Sequence, residues 1–420
     1  MSNSDHPKSC FDDYDPNSLT MDAALQRIDQ AVGPIHAYEY CNLRAALDRV
    51  LVQVVTSPIN VPAHTNSAMD GYAICGADLP ANGDAVLEVV ATVLAGNPTP
   101  MTIKRGQCAR IMTGGKMPSG TDTVIMQEHV TRDEDRISIG TGHRTGQNVR
   151  QAGEDLAIGE QVLQPGRRLT PADIGMMASL GISELKVMRR LRVAFFSTGD
   201  ELRSVGQVLE EGQIYDSNRY TLHGMLSRFG ADILDMGVIP DQRDAIRNAF
   251  LQAAAEADVL ITSGGVSVGE ADYVKEALTE LGDVNFWKIA MKPGRPLAFG
   301  SIQHCHFFGL PGNPVSAMVT FYQFVLPALK KMAGQDSEVP NILELPCTTP
   351  LKKSPGRVEF QRGIIETDNQ GNMVVRSSGQ QGSGILSSMS KANCFIILPM
   401  ECGSVEANTR VKVQPFAGLI

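Results

Sequence analysis

Residues 258–276 read DVLITSGGVSVGEADYVKE. DVLIT is a short apolar, partly β-branched run, which predicts a buried strand. SGGVSVG puts three glycines into seven residues. EADYVKEAL then opens a helical pattern, with Ala271, Val274, Leu278 and Leu281 on one face. Strand, glycine-rich turn and helix together form a cradle for an anionic group. The glycines let backbone approach the ligand, and the helix start presents unpaired N–H groups. Glu270 and Asp272 lie in that first turn. They would repel a bare anion but not a phosphate carried with a divalent cation. The plainer reading is a tight turn followed by a helix whose first turn is acidic for dipole reasons alone.

The neighbouring sequence extends the pattern. LRVAFFST (191–198), ADILDMGVI (231–239), VNFWKIA (284–290) and HCHFFGL (304–310) read as strands. Residues 217–230, 241–257 and 313–332 read as helices, the last with Asn313 as N-cap and Pro314 at its first position. This alternation predicts a doubly wound, mainly parallel α/β domain, which binds ligands beyond the carboxyl ends of its strands. Those ends carry Asp200 and Glu201, then Pro240-Asp241, then Ser263 and Gly264, then Lys292 and Arg295, then Pro311 to Pro314. Acids supply hard oxygen ligands for Mg²⁺, and lysine and arginine supply charge for an oxyanion. Each residue also has a structural explanation. Asp241 reads as an N-cap with Asp244 as its capping-box partner, Asp200 as the cap of a short turn, and Lys288 and Lys292 as solvated strand ends.

The rest of the chain is organised around this domain. Residues 1–17 are expected to be a disordered tail. Residues 18–57 and 156–190 form a discontinuous linker domain, with helices predicted at 20–30, 42–50 and from Pro171 to Gly181. Residues 58–155 form a β-rich insertion, 191–337 the α/β domain, and 338–420 a C-terminal β domain. Arg357 and Arg362, in GRVEFQRG, are expected at the surface.

The chain has 420 residues, 43% of them hydrophobic, and a formal net charge of −9. That balance argues against nucleic-acid binding. No apolar run approaches membrane-spanning length and no signal peptide is evident, so a cytoplasmic location is expected. The eight cysteines are scattered, with no C-x-x-C pair. His304 and His306 could bind a metal, but alternation on a strand or turn accounts for them equally.

Seven segments occur in order: NSAMDGYA, RIMTGG, STGDEL, SGGVSVGEADY, KPGRP, GLPGNP and GRVEFQRG. Together they resemble the molybdopterin molybdenumtransferase family, which is similar to the E domain of gephyrin. The resemblance covers nearly everything beyond residue 18. It implies an α/β multidomain chain and an elongated homodimer, with each active site shared between subunits. It implies cleavage of adenylylated molybdopterin with Mg²⁺, insertion of molybdenum from molybdate, and release of AMP.

By the same resemblance, Asp241, Asp272 and Glu201 are the acidic residues of the α/β part and the candidate metal ligands, and Asp70 and Thr113 come from the partner subunit. Ser263, Gly264, Gly265, Ser267 and Gly269 form the cradle. Lys288, Lys292 and Arg295 hold phosphate or oxyanion, Arg295 standing where some members carry lysine. Pro311 and Pro314 shape a turn, and Arg150, Asp155, Arg362 and Ser383 match further motif positions. A contact with the adenylylating enzyme of the pathway is also expected. The main alternative is that preceding adenylyltransferase itself, whose glycine loop reads closer to GGTG and which lacks the flanking domains. A non-catalytic scaffold and a general Mg²⁺-dependent nucleotide hydrolase are further alternatives.

Overall fold

The side chains of LRVAFFST and DVLIT alternate between two cores. Val193, Phe195, Val259 and Ile261 enter one apolar cluster, while Ala194, Phe196 and Leu260 enter another. A strand buried on both faces needs a continuous apolar run rather than an alternating one, and that is what these segments carry. The structure, a computed structural model, describes residues 18–264, 273–336 and 340–417. The predicted tail and Gly265, Ser267, Gly269, Glu270 and Asp272 lie outside the described residues.

The chain divides into two units: Tyr40–Leu47 with Leu51–Val187, and the remainder. In the second of these, helix α1 (Met21–Ala31) precedes β1 (Arg192–Thr198), α2 (Ser217–Phe229), β2 (Asp232–Ile239), α3 (Arg243–Glu256) and β3 (Val259–Ser263). There follow α4 (Tyr273–Leu281), β4 (Asp283–Lys288), β5 (Pro296–Ile302), β6 (Cys305–Leu310) and α5 (Pro314–Thr320). The sheet order is β2-β1-β3-β6-β5-β4. Strands β2, β1, β3 and β6 are mutually parallel. α2 and α5 contribute to the first core, α3 and α4 to the second.

Two expectations are corrected here. PLAFGSI, which the sequence pattern does not mark as a strand, is β5, antiparallel to both β6 and β4. A two-residue turn at Gln303-His304 joins β5 to β6, so no crossover helix intervenes. Two reversals leave β4 pointing the same way as the parallel strands, and its end at Lys288 stays on their carboxyl rim. The helix expected over 313–332 is interrupted: α5 passes through a π-helical turn, Phe321–Val325, into α6 (Leu326–Met332). Pro327 lacks the N–H of a regular α-helix, and the wider turn before it accommodates that loss.

The C-terminal sheet contains β7 (Leu343–Pro346), β8 (Val358–Thr367), β9 (Met373–Ser377), β10 (Cys394–Leu398) and β11 (Arg410–Pro415). Its order is Met291–Lys292, β8, β10, β11, β7, with β9 paired to β8. The two-residue strand Met291–Lys292 therefore leaves the rim of one sheet to become the edge of the other, in register with Val358 and Glu359.

The other unit is built on a six-stranded sheet in the order Thr123–Met126, Gly71–Ile74, Gln107–Ile111, Ala85–Val93, Arg136–Ile139, Val130–Asp133. Its helix Pro171–Ser179 starts with a Thr170–Asp173 capping box. The helix expected at 42–50 is only the 3₁₀ turn Leu43–Ala45, and Asp48, at φ +62°, has left helical conformation. Among the described residues no helix is long and apolar enough to cross a membrane.

An ion pair ties the start of β1 to the start of β3. Arg189 donates from Nη1 and Nη2 to the two oxygens of Asp258 at 2.8 and 2.7 Å, and the Arg192 N–H adds a third bond of 2.8 Å. Burial pushes the Asp258 carboxyl up, but these bonds outweigh it and hold the group below the ordinary range. Asp258→Ala is expected to cost about 2–3 kcal/mol, because the arginine is left without its partner. A group with a depressed folded pKa stabilises above its unfolded value, near ~4, and loses that contribution as pH falls through the folded value. Thermal melting should therefore separate wild type from variant at pH 7, with the gap closing under acid conditions.

Candidate functional site

Parallel register sets the site. Ser197 pairs with Ser263, and Ser263 with Leu310, so β1, β3 and β6 end level. The turns beginning Thr198-Gly199, Gly264 and Pro311-Gly312 therefore start side by side. Gly264 has φ +92°, and a Cβ there would lie 2.8 Å from the Thr198 carbonyl oxygen. Only glycine fits, because both the backbone angle and the space refuse a side chain. Its N–H donates to the Leu310 carbonyl at 3.2 Å, closing one turn against the next.

Several buried polar atoms at this rim have no partner among the described residues. They are Ser197 Oγ, Thr198 Oγ1, Thr262 Oγ1, Asp216 Oδ2 and Asn218 Oδ1. Buried polar groups are ordinarily satisfied, so a concentration of unmet ones at strand ends points to a ligand or ordered water.

Carboxylates crowd one part of the rim. β2 shifts register opposite Phe195–Ser197 before reaching Pro240 and Asp241. Asp241 does not cap α3: the N-cap is Gln242, and it makes no side-chain cap bond. The capping explanation for Asp241 thus falls away. Its carboxyl is pushed above the usual range, first by burial and then by the charges of Asp200 and Glu201. Three acids held close enough to repel one another suit a cation. Among the described residues, however, no group of three histidines, cysteines or acids is arranged to hold a metal on its own.

Cations gather against the C-terminal sheet, at its Met291–Lys292 edge. A cavity of 530 Å³ is lined by Lys292, Lys352, Glu359, Gln361, Arg362 and Gln381, among others. The sequence reading placed Arg362 at the surface, but it is 1% exposed. It donates from Nε to Ser388 Oγ and from Nη2 to the Gly382 carbonyl, both at 3.1 Å. These use two of its five N–H donors. Burial pushes its pKa down to about 10, against the opposing pull of Glu359, so it stays charged near neutral pH. Glu359 is also buried and faces the Lys292 ammonium at 3.5 Å. The surface expectation failed because a strand of alternating polar residues does not reveal which face a neighbouring helix covers; here α7 (Leu386–Lys391) supplies Ser388.

The remaining predicted residues are distributed as follows. Lys288 ends β4, where its carbonyl accepts from the Leu19 N–H. The Arg295 carbonyl accepts from the Ile289 N–H. Pro311 is buried, and Pro314 opens α5. The Ser383 carbonyl accepts from the Val315 N–H in the first turn of α5. In the other unit, Asp70 Oδ1 accepts from both the N–H and the hydroxyl of Thr113, each at 2.7 Å. These bonds, the backbone one foremost, hold the Asp70 carboxyl below its usual range. Ser67 and the Gly114-Gly115 turn exchange backbone bonds, and Arg150 pairs with Asn66, so NSAMDG, RIMTGG and Arg150 form one patch. Asp155 lies further along, its N–H donating to Val61. Burial pushes the thiols of Cys108, Cys305 and Cys394 up to about 12, which makes them packing residues rather than nucleophiles.

Comparison with known proteins identifies the family. Three family models match in succession: the MoeA N-terminal region (domains I and II) over residues 19–181, a probable molybdopterin binding domain over 194–331, and the MoeA C-terminal region (domain IV) over 344–416. A curated molybdopterin molybdenumtransferase of Haemophilus influenzae is 46% identical over 405 residues, covering 96% of this chain and all of that one. Gephyrin of Dictyostelium discoideum is 33% identical, covering 94% of this chain and 62% of its own length. The crystal structure of a molybdopterin biosynthesis MoeA protein from Pyrococcus horikoshii superimposes with a TM-score of 0.83 at 28% identity, covering 95% of this chain and all of that one. On these matches along nearly its whole length, the chain belongs to the molybdopterin molybdenumtransferase family.

Proposed function

We propose that this enzyme of molybdenum cofactor biosynthesis inserts molybdenum from molybdate into adenylylated molybdopterin, with Mg²⁺-dependent cleavage of the adenylate and release of AMP. The observation that carries the reading is the cavity around Arg362. Its lining counts three cations, Lys292, Lys352 and Arg362, against one carboxylate, Glu359, a net charge of two positive. Molybdate is a tetrahedral dianion, and a buried guanidinium with unused N–H donors recognises an oxyanion through directed hydrogen bonds.

The carboxylates Asp241 and Glu201, joined by Asp272 from outside the described residues, are assigned to Mg²⁺. The donor set fits: Mg²⁺ takes oxygen ligands and is commonly held by one or two carboxylates together with substrate phosphates. When bound, the cation supplies charge neutralisation at the phosphate of the adenylate. Ser263 and the backbone at Gly264 bind and orient that phosphate, while Lys288, Lys292 and Arg295 offset charge developing on its oxygens.

A homodimer with shared sites is part of the proposal. Asp70, locked by two bonds from Thr113, is a preorganised carboxylate at the surface of its unit. With Arg150 and Asp155 it would complete the rim of a partner subunit. The division into a linker domain, a β-rich insertion, an α/β domain and a C-terminal β domain belongs to the same proposal, as do a cytoplasmic location and contact with the adenylylating enzyme.

Three measurements test this. Purified protein given adenylylated molybdopterin and Mg²⁺ should release AMP in a molybdate-dependent manner. Equal release without molybdate would indicate a plain hydrolase, and ATP-dependent adenylylation of free molybdopterin would place the enzyme one step earlier. Arg362→Met keeps volume but removes the charge. It should fold, as judged by its melting temperature, and raise the molybdate concentration needed for half-maximal rate by roughly 100-fold; an unchanged requirement would remove Arg362 from the oxyanion site. Finally, Asp70→Asn and Glu201→Gln variants, each inactive, should regain about a quarter of wild-type activity when mixed and reassociated. Random pairing makes half the dimers mixed, and each mixed dimer has one intact site of two. No recovery would count against sites shared between subunits.

A further inference from the structure

Asn218, the second residue of α2, is 8% exposed and lies in none of the motifs that carry the family resemblance. Its Nδ2 makes two hydrogen bonds of 2.7 Å, to Ser263 Oγ and to the Gly312 carbonyl. A carbonyl can only accept, so the amide nitrogen must face Gly312 and the orientation of the side chain is settled by chemistry. The second hydrogen of that nitrogen goes to Ser263 Oγ, which therefore accepts. A hydroxyl that accepts in this way keeps its own hydrogen to donate. One side chain thus spaces the turn at Gly264 from the turn at Gly312 and fixes Ser263 as a donor.

The start of α2 is itself fastened. Asp216 is the N-cap, and its Oδ1 accepts from the Arg219 N–H at 3.1 Å. Asp216 Oδ2, Asn218 Oδ1 and Thr198 Oγ1 are buried without partners among the described residues. An amide that leaves its oxygen unmet is a costly way to join two turns for stability alone, because a buried unsatisfied acceptor forfeits its hydration.

We infer that Asn218 is a positioning residue of the transferase site, holding the Ser263 hydroxyl as a hydrogen-bond donor to a phosphate oxygen of the nucleotide-linked substrate. This rests on the proposed function in naming the adenylate as ligand. It goes beyond that function in assigning the residue that aims the cradle.

A four-member cycle decides it: wild type, Asn218→Ala, Ser263→Ala and the double variant. Equilibrium binding of adenylylated molybdopterin and AMP release are measured on each, with melting temperatures. Each single variant should weaken binding roughly 10-fold, and the double variant should be no weaker than Ser263→Ala, because the two residues act as a unit. The loss should fall on KM with kcat changed less than about threefold, as for an interaction made equally in ground and transition states. Asn218→Asp adds a readout that a purely structural role would not move. Its carboxylate cannot donate at pH 8, but the protonated acid regains one donor, so affinity should recover as pH falls toward 5 relative to Asn218→Ala.

Effects that multiply in the double variant overturn the inference. So does a binding loss that only follows the unfolded fraction. If wild type binds the adenylate but shows no molybdate-dependent AMP release, the insertion reading fails while the binding cycle still judges Asn218. If wild type does not bind the adenylate at all, both fall.

Discussion

β1, β3 and β6 end level, and that shared register places the turns of the α/β unit. Parallel strands share slanted, evenly spaced hydrogen bonds, so their register fixes where every following turn begins. Ser197, Ser263 and Leu310 are far apart in sequence yet occupy one row. The segments that follow the strand ends carry different chemical characters: acids after β1 and after the neighbouring β2, Gly264 after β3, and Pro311-Gly312 after β6. The close approach of Gly264 to the Thr198 carbonyl is a direct consequence. A slip of one residue in β3 would put its side chains on the wrong faces, exchanging the two cores as well as displacing Gly264.

Much of this was legible in the sequence because the strands of a doubly wound sheet announce themselves as apolar runs, and the chemistry sits immediately after them. What was illegible was pairing direction. PLAFGSI follows Arg295 so closely that it reads as loop continuing from KPGRP, and only the turn at Gln303-His304 makes it a hairpin partner of β6. Asp241 was open to a capping reading because an acid three residues before another acid fits that pattern; the local backbone instead gives the cap to Gln242. Asn218 was invisible for a different reason. Nothing in SNRYTLHGM distinguishes an asparagine facing solvent from one bridging two turns contributed 45 and 94 residues later.

Arg362 illustrates how burial changes the meaning of a charge. On a surface strand a guanidinium is worth little, because water screens it. Enclosed beside Ser388 and Gly382, the same group loses hydration that two neutral acceptors do not fully replace. Glu359 contributes, but it is also engaged with Lys292. The buried charges are one of each sign, Arg362 and Glu359, and the further positive charge comes from Lys292 and Lys352 at the exposed side of the cavity.

The segment from Lys288 to Arg295 connects these two chemistries. Lys288 ends β4 on the rim of the first sheet, Met291–Lys292 form the edge strand of the C-terminal sheet, and the chain returns through Pro293-Gly294 to begin β5 at Pro296. Gly294 makes the return possible: it has φ +97°, and a Cβ there would lie 2.6 Å from Thr320 Oγ1. Because both ends of the segment are hydrogen-bonded into sheets, Lys288 and Lys292 cannot be displaced independently of the backbone that joins them. On the proposed assignments, the phosphate-binding rim and the oxyanion cavity would share one covalent strut only a few residues long. The proposed reaction, which brings a nucleotide phosphate and a metal oxyanion to the same pterin, would gain from that rigidity, since positioning two reactants by fixed backbone lowers the entropic cost of bringing them together.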